Sequence, residues 1–267
     1  MPIASALLPW LLVLASETTP TLATEDTMRT EVQEVLVRAP RVTLAEILDR
    51  VARGEARRDS LLADESFTVA VRLVRDVRGP TPKLLQETVW RVFRKRPDKV
   101  RSILLRRRIA PRQKDDVVVT FSPGMGEEIV DFAFQPRARR DFRYQIVGRD
   151  LVGTHVIYRI AFEPRSLLDP MQPQGLVWID TNDFVIVREE VSFRKSPIPL
   201  VLRGIDRMVV ERQRVGGHWV LRRVLLRGEA TLPLPRVGRT FDLGIQFDDY
   251  TVNQGLDDRV FLHEVGR

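Results

Sequence analysis

The residue types that most often carry catalysis or bind metals are sparse in this sequence and poorly spaced for either task. Its 267 residues include three histidines, His155, His218 and His263, and no HxH or HExxH spacing occurs. Cysteine is absent, so we expect no disulfide, thiolate metal site, cysteine nucleophile or lipid-modified cysteine. We therefore predict no metal site and no cofactor.

Other patterns that could support chemistry have ordinary interpretations. No GxSxG elbow for a serine hydrolase is present. The loop at 124–128 begins like a phosphate-binding loop, but it lacks the lysine and places two carboxylates where a phosphate would lie. The acidic pairs at 115–116, 248–249 and 257–258 are adjacent residues, which point to opposite faces on a strand. We predict no catalytic residue and no enzymatic activity.

The chain is basic, with 43 Lys and Arg against 36 Asp and Glu and a net charge of +7. Such a charge attracts nucleic acid or anionic lipid headgroups. The arginines are spread over every segment, however, and no nucleic-acid-binding module is visible. We predict no nucleic-acid partner and retain an anionic membrane surface among the candidate partners.

The first residues have the pattern of an export signal. Residues 3–15 are apolar apart from Ser5, and Thr21-Leu22-Ala23 provides a small-residue end for cleavage after Ala23. The apolar run is shorter than the roughly 20 residues that cross a bilayer, and Pro9 interrupts it. We predict a signal peptide at 1–23 and a soluble exported product, with a buried N-terminal helix as the alternative. No Lys or Arg precedes the run, which also fits a start codon further upstream.

One helix is predicted after the signal peptide. We expect 24–40 to be a flexible segment with a short strand at 32–37, ended by Pro40. Thr43 followed by Glu46 has the spacing of a capping box, and Leu44, Ile47, Leu48 and Val51 recur on one helical face. The pattern predicts an amphipathic helix over about 42–62, either continuous or split around Gly54. Its apolar face must pack on the sheet that follows.

From Ser66 to Asn253 the apolar pattern changes to a period of two, interrupted at short intervals by Gly, Pro, Asn and Asp turns. The candidate strands are 67–74, 85–93, 100–109, 116–121, 128–134, 142–148, 155–163, 175–180, 184–193, 205–215, 219–230 and 239–252. So many hairpin-connected strands cannot stay flat. We predict a mainly β fold at 41–253, an incomplete antiparallel barrel of about a dozen meander strands with one or a few covering helices. A C-terminal tail follows at 254–267.

Several local motifs, in this order, resemble the bacterial outer-membrane lipoprotein-sorting proteins of the LolA/LolB-like superfamily. The motifs are FRKRPDKVR at 93–101, YQIVG at 144–148 with YRIAFEP at 158–164, GLVWID at 175–180 with VIVR at 185–188, and DYTVN at 249–253. The segment VLVRAP at 35–40, with the helix after it, also resembles the periplasmic module of large uncharacterised envelope proteins.

This resemblance implies a periplasmic, monomeric carrier or chaperone that holds the acyl chains of a lipid or lipidated protein in an apolar groove and delivers them at the outer membrane. An envelope membrane protein would be a further partner. In the carriers, the arginine of the Arg-Pro turn contacts the helical lid, and Arg96 matches it. The residues that we assign to the groove are Trp90, Phe132, Phe134, Trp178 and Ile186.

Only one convincing lid helix is visible in the sequence, whereas the carriers have several. The alternative is therefore a structural or assembly module of the cell envelope with a filled barrel. Sequence periodicity does not distinguish a filled barrel from a hollow one.

Overall fold

The computed structural model describes residues 42–109, 132–153, 155–166, 172–195, 202–234 and 238–262. The predicted signal peptide, the short strand at 32–37 and the strand at 116–121 lie outside these ranges. None of the helices within the described ranges combines the length and the apolar character that a membrane span needs.

Helix α1 (Leu44–Leu61) is the covering helix that the sequence predicts. Thr43 is its N-cap, and the Thr43 hydroxyl accepts a hydrogen bond of 3.2 Å from the backbone N–H of Glu46, as the capping-box spacing predicts. Ile47, Leu48 and Val51 are buried on its inner face. The helix is continuous through Gly54, so the split that glycine would favour does not occur.

Antiparallel strands make up most of the described chain. They are β1 (Asp64–Arg75), β2 (Lys83–Lys95), β3 (Lys99–Ile109), β4 (Phe142–Val152), β5 (His155–Pro164), β6 (Pro173–Asp180), β7 (Val185–Phe193), β8 (Leu202–Val215), β9 (His218–Leu234) and β10 (Gly238–Val252). Two 3-10 turns, Phe132–Phe134 and Arg139–Asp141, precede β4, and a short helix α2 (Arg259–Leu262) follows β10.

The strands form one sheet in the order β3-β2-β1-β10-β9-β8-β7-β6-β5-β4. Neighbouring strands in the sheet are consecutive in the sequence except β1 and β10, so the first and last strands of the chain pair with each other inside the sheet. Within the described residues, β3 and β4 are the two edges and do not pair. The prediction of an incomplete antiparallel barrel is therefore confirmed.

The predicted strand at 128–134 is wrong at its end, because Phe132–Phe134 form a 3-10 turn. Apolar and aromatic residues suit a strand, but Pro136 follows two residues later and cannot donate to a ladder. The turn instead buries Phe134, whose ring packs edge-on against Phe162 at a centroid distance of 5.5 Å.

The sheet curls around α1. The helix contacts β9, β7 and β4, which span five strand intervals in the sheet order. In a flat sheet these strands would lie about 24 Å apart, at roughly 4.8 Å per strand, which is wider than a helix with its side chains. The concave face therefore wraps the helix, and the core lies between the two. The most deeply buried side chains on this face include Val69, Ile160, Val177, Ile179, Ile186, Ile245 and Phe247.

The segment after β10 returns to the hairpin of β2 and β3. The Asp258 carboxylate accepts hydrogen bonds from the ammonium groups of Lys95, at 2.7 Å, and Lys99, at 2.8 Å. The guanidinium of Arg101 donates to the carbonyl oxygen of Val260, in α2. The predicted tail therefore includes an ordered helical turn held by charge.

Replacing Lys95 and Lys99 together by methionine is expected to raise the pKa of Asp258. Hydrogen bonds from these two ammonium groups hold that pKa at about 2, below the ordinary value of 3.8. A lowered pKa means that the contact stabilises the fold above pH 3.8 and is lost as the pH falls toward 2. Carboxyl-carbon NMR titration checks the shift, and a pKa that stays near 2 in the double variant would contradict this assignment.

Candidate functional site

The concave face and the helix that covers it form the candidate site. The apolar face of α1 enters it through Ile47, Leu48 and Val51, which recur at helical spacing and contact the sheet core. The next positions on this face of α1 are Glu55 and Arg58, which are also buried. A carboxylate and a guanidinium therefore lie where apolar residues would be expected.

Glu55 is the centre of a buried ionic group. Its carboxylate accepts hydrogen bonds from the guanidinium of Arg212, at 2.9 and 3.1 Å, and from the backbone N–H of Ile186, at 2.7 Å. A second guanidinium, that of Arg58, lies 3.1 Å from the same carboxylate. The side chains of Arg212, Arg58 and Glu55 are only 1%, 7% and 9% exposed.

Arg212 also donates to the backbone carbonyl oxygen of Ile186, at 2.7 Å. Its guanidinium thus bridges α1 to β7 from a position on β8. Since a buried charge is tolerated only when it is paired and hydrogen-bonded, this arrangement fixes the helix at one place on the sheet. We call Glu55, Arg58 and Arg212 the helix-anchoring group.

The turn between β6 and β7 reinforces this contact. Asp180 accepts hydrogen bonds from the backbone N–H groups of Asn182 and Asp183, at 2.9 and 3.2 Å. The next residue, Phe184, has a left-handed φ of 53°, and the guanidinium of Arg50 lies 5.1 Å from its ring centroid. The carbonyl groups of Asp183 and Phe184 reach α1 at Gly54, where no side chain is present to block them.

Three residues of the predicted groove lie on the concave face. Phe134 and Ile186 are buried in the core cluster, and Trp90 is half-buried and packs against it. Ile186 also provides the backbone groups that hold the helix-anchoring group. Phe132 begins the 3-10 turn, and its side chain is outside the described part of the chain.

Trp178 lies on the outer face of the sheet. Its neighbours Val177 and Ile179 are buried in the core, and consecutive strand residues point to opposite faces. On the outer face, the guanidinium of Arg188 lies over the indole ring of Trp178, 5.2 Å from the ring centroid. Trp178 is therefore not brought together with the other groove residues, and we remove it from the proposed site.

Arg96, the predicted lid contact, lies close to the covering helix. Its guanidinium is 4.0 Å from the carboxylate of Asp59 on α1, and both side chains are about half exposed. An exposed pair at this distance contributes little to stability. The hydrogen bonds of the helix-anchoring group are shorter and far more deeply buried.

The apolar concave face continues beyond the contacts of α1 to β2 and β3. Trp90 pairs directly with Leu104, and residues opposite each other on neighbouring strands share one face. Leu104 is 42% exposed, and Val100, four residues earlier on the same face, is 44% exposed. We call Trp90, Leu104 and Val100 the open strip.

The sequence prediction missed Leu104 and Val100. The signal was nonetheless present, because the turn at 96–98 pairs Lys95 with Lys99, and counting outward from that pair places Leu104 opposite Trp90.

Two smaller features complete the site. A hollow of about 240 Å³ lies between α1 and the turn that holds Phe134, lined by Ala52, Glu55, Ala56, Asp59, Phe134, Gln135 and Pro136. Burial raises the pKa of Tyr144 to about 12, and its hydroxyl donates to the carbonyl oxygen of Ala133. Among the described residues, no three His, Asp or Glu side chains gather as metal ligands would.

Fold and site together define an open antiparallel half-barrel with an apolar, helix-covered concave face. No family model matches the sequence, and no curated protein matches it.

Several solved structures are similar to the chain. A DUF1329 family protein from Desulfovibrio piger is 12% identical, with a TM-score of 0.41 over 81% of this chain and 97% of that chain. A domain described as an outer membrane lipoprotein-sorting protein domain, from Vibrio parahaemolyticus, is 12% identical, with a TM-score of 0.35 over 80% and 95%. A LolA superfamily protein from Nitrosomonas europaea is 14% identical, with a TM-score of 0.31 over 83% and 98%. These likenesses concern the fold alone.

Proposed function

We propose that the protein is a periplasmic carrier that binds the acyl chains of a lipid or a lipidated protein on its concave face and delivers them at the outer membrane. The observation that supports this is the open strip, where apolar side chains continue the concave face beyond α1 and remain 42% to 44% exposed at Leu104 and Val100. Each methylene group that leaves water against such a surface contributes about 0.8 kcal/mol. A non-catalytic role fits a site built from apolar side chains.

The position of α1 gives this proposal a mechanism. The helix covers the β4 to β9 part of the concave face and is fixed there by the helix-anchoring group. The cargo would therefore lie beside the helix, along β2 and β3, and would not need to displace it. Binding and release would depend on access to the open strip, which requires no nucleotide hydrolysis.

The packed centre favours a second candidate function, a structural or assembly module of the cell envelope. Ile47 and Val51 of α1 are fully buried against the sheet, so the part of the barrel under the helix is filled by side chains. In this function the open strip would bind an envelope protein and not an acyl chain.

Replacing Leu104 by glutamate is expected to weaken fatty-acid binding at least tenfold, because an acyl chain cannot solvate the carboxylate that it would cover. Ile103→Glu is the matched control. Ile103 is the neighbouring residue on the outer face and is similarly exposed, at 37% against 42% for Leu104. The measurement is fluorescence titration of the purified full chain with a fluorescent fatty acid.

Organic extraction of the same preparation, followed by mass spectrometry, tests for bound lipid. Lipid that co-purifies with the protein, and is lost from Leu104→Glu only, would support the carrier. Equal affinities in both variants would remove the open strip from the site. A lipid-free protein that takes up no fatty acid would favour the structural module.

A further inference from the structure

Strand β3 exposes more apolar surface than an edge strand normally does. Val100, Ile103, Leu104 and Leu105 are 44%, 37%, 42% and 58% exposed. Long apolar edges are an aggregation hazard, and contiguous apolar patches on a protein surface usually mark an interaction site. The open strip uses Leu104 and Val100, which leaves Ile103 and Leu105 without a role.

A β-bulge directs Leu105 away from the regular strand. Trp90 pairs with Leu104 and Val89 with Arg106, so Leu105 has no partner on β2. Bulges of this kind re-aim a side chain. Here the bulge places an exposed leucine immediately before three exposed arginines, Arg106, Arg107 and Arg108.

All the charges of β3 are positive. The strand carries Lys99, Arg101, Arg106, Arg107 and Arg108 and contains no acidic residue. Lys99 and Arg101 contact Asp258 and Val260 at the turn end of the strand. A guanidinium nitrogen of Arg106 lies 3.9 Å from a carboxylate oxygen of Glu87, and the Arg106 side chain is 66% exposed. The far end of the strand therefore combines apolar and cationic side chains along one edge, with Arg106 and Arg108 on its outer face and Arg107, opposite Thr88, on its concave face.

We propose that the β3 edge surface, which consists of Ile103, Leu105, Arg106, Arg107 and Arg108, docks on an anionic phospholipid bilayer. Guanidinium groups bind phosphate oxygens in bidentate fashion, and a cluster of basic residues is attracted to a negatively charged leaflet. Leucine and isoleucine beside them gain by entering the headgroup boundary. This role is independent of the proposed cargo.

Charge argues for a membrane over a second copy of the chain. Antiparallel pairing of two β3 strands would bring the positive side chains of both strands together, with no acidic residue on either β3 strand, and like charges opposite each other destabilise a strand pair. An anionic bilayer satisfies the same charges and also accepts the apolar side chains.

The test is co-sedimentation of the full chain with vesicles of phosphatidylcholine and phosphatidylglycerol. We expect binding that weakens as salt is added and is absent from pure phosphatidylcholine vesicles. Replacing Arg106, Arg107 and Arg108 together by glutamine is expected to weaken binding at least tenfold, since each basic residue near the surface contributes about fivefold.

The matched control replaces Arg137, Arg140 and Arg143 by glutamine. These three exposed arginines precede or begin β4, and their loss lowers the net charge by the same amount.

A second pair of variants measures how much the apolar side chains contribute to vesicle binding. Leu105→Ser is expected to weaken binding severalfold, whereas Leu151→Ser, at an edge residue of β4 that is 74% exposed, is expected to leave it unchanged.

Equal losses in the two triple variants would overturn the proposal, because binding would then follow net charge alone. Binding to both vesicle types, or to neither, would also overturn it. A dimer that forms without vesicles and dissociates in Leu105→Ser would assign the β3 edge surface to self-association instead.

Discussion

Replacing Glu55 by alanine is expected to lower the free energy of unfolding by about 3–5 kcal/mol, the usual cost of leaving a buried charge without its partner. The carboxylate is the common partner of Arg58 and Arg212, and it also accepts the backbone N–H of Ile186. Its loss would remove the carboxylate that pairs with the buried guanidinium of Arg212, whereas Arg58 would keep its hydrogen bonds to the carboxylate of Asp59. Urea denaturation followed by circular dichroism measures the effect.

Glu46→Ala is the control on the same helix. Glu46 pairs with Arg50 one turn away, and both side chains are about 40% exposed, so the cost should stay below about 1 kcal/mol. If Glu55→Ala does not fold, the triple replacement of Glu55, Arg58 and Arg212 by Leu, Leu and Met removes the three charges of the helix-anchoring group together and leaves only the half-exposed carboxylate of Asp59. That variant is expected to recover most of the lost stability. Similar small losses in Glu55→Ala and Glu46→Ala would contradict the anchoring role.

Replacing Gly54 by alanine is expected to destabilise the protein by about 1–3 kcal/mol, although alanine is the better helix former by about 1 kcal/mol. A Cβ atom at this position would lie 2.3 Å from the carbonyl oxygen of Phe184 and 2.6 Å from that of Asp183. Both obstacles are backbone atoms, so either the helix or the turn between β6 and β7 must move. Thermal unfolding of the purified protein measures the change.

Gly204→Ala provides the comparison. No atom lies within 4 Å of a Cβ atom added at Gly204, so the change should be neutral or stabilise by up to about 1 kcal/mol, through the reduced freedom of the unfolded chain. Stabilisation by Gly54→Ala would mean that helix propensity outweighs the close approach, and would contradict the tight contact between α1 and the turn.

Local patterns were sufficient to predict the covering helix and the described strands, but not the 3-10 turn at Phe132–Phe134. The capping residue Thr43 and the apolar spacing after it gave the helix, and the period of two with its turns gave the described strands within a few residues. These signals are local because a cap or a hairpin turn is formed by residues close in sequence. The pairing of β1 with β10 has no local signal, since it joins residues such as Val71 and Ile245.

The site was harder to predict because its residues, like those of β1 and β10, are distant in the sequence and meet only in the folded sheet. Trp178 suggested a groove wall because it is large and apolar, but its position in β6 directs it outward and leaves Val177 and Ile179 in the core. The helix-anchoring group joins Glu55 to a guanidinium 157 positions away. In the local sequence, the only sign of this group was a glutamate at a position on the inner face of α1 where an apolar residue would be expected. Its partners become evident only once the sheet is folded.

The meeting of β1 with β10 has a consequence for biosynthesis. On a ribosome that is still elongating, β1 can pair with β2, but its other backbone edge stays unpaired until β10 (Gly238–Val252) has emerged. The sheet therefore stays open along this edge of β1 until the chain has been synthesised as far as Val252.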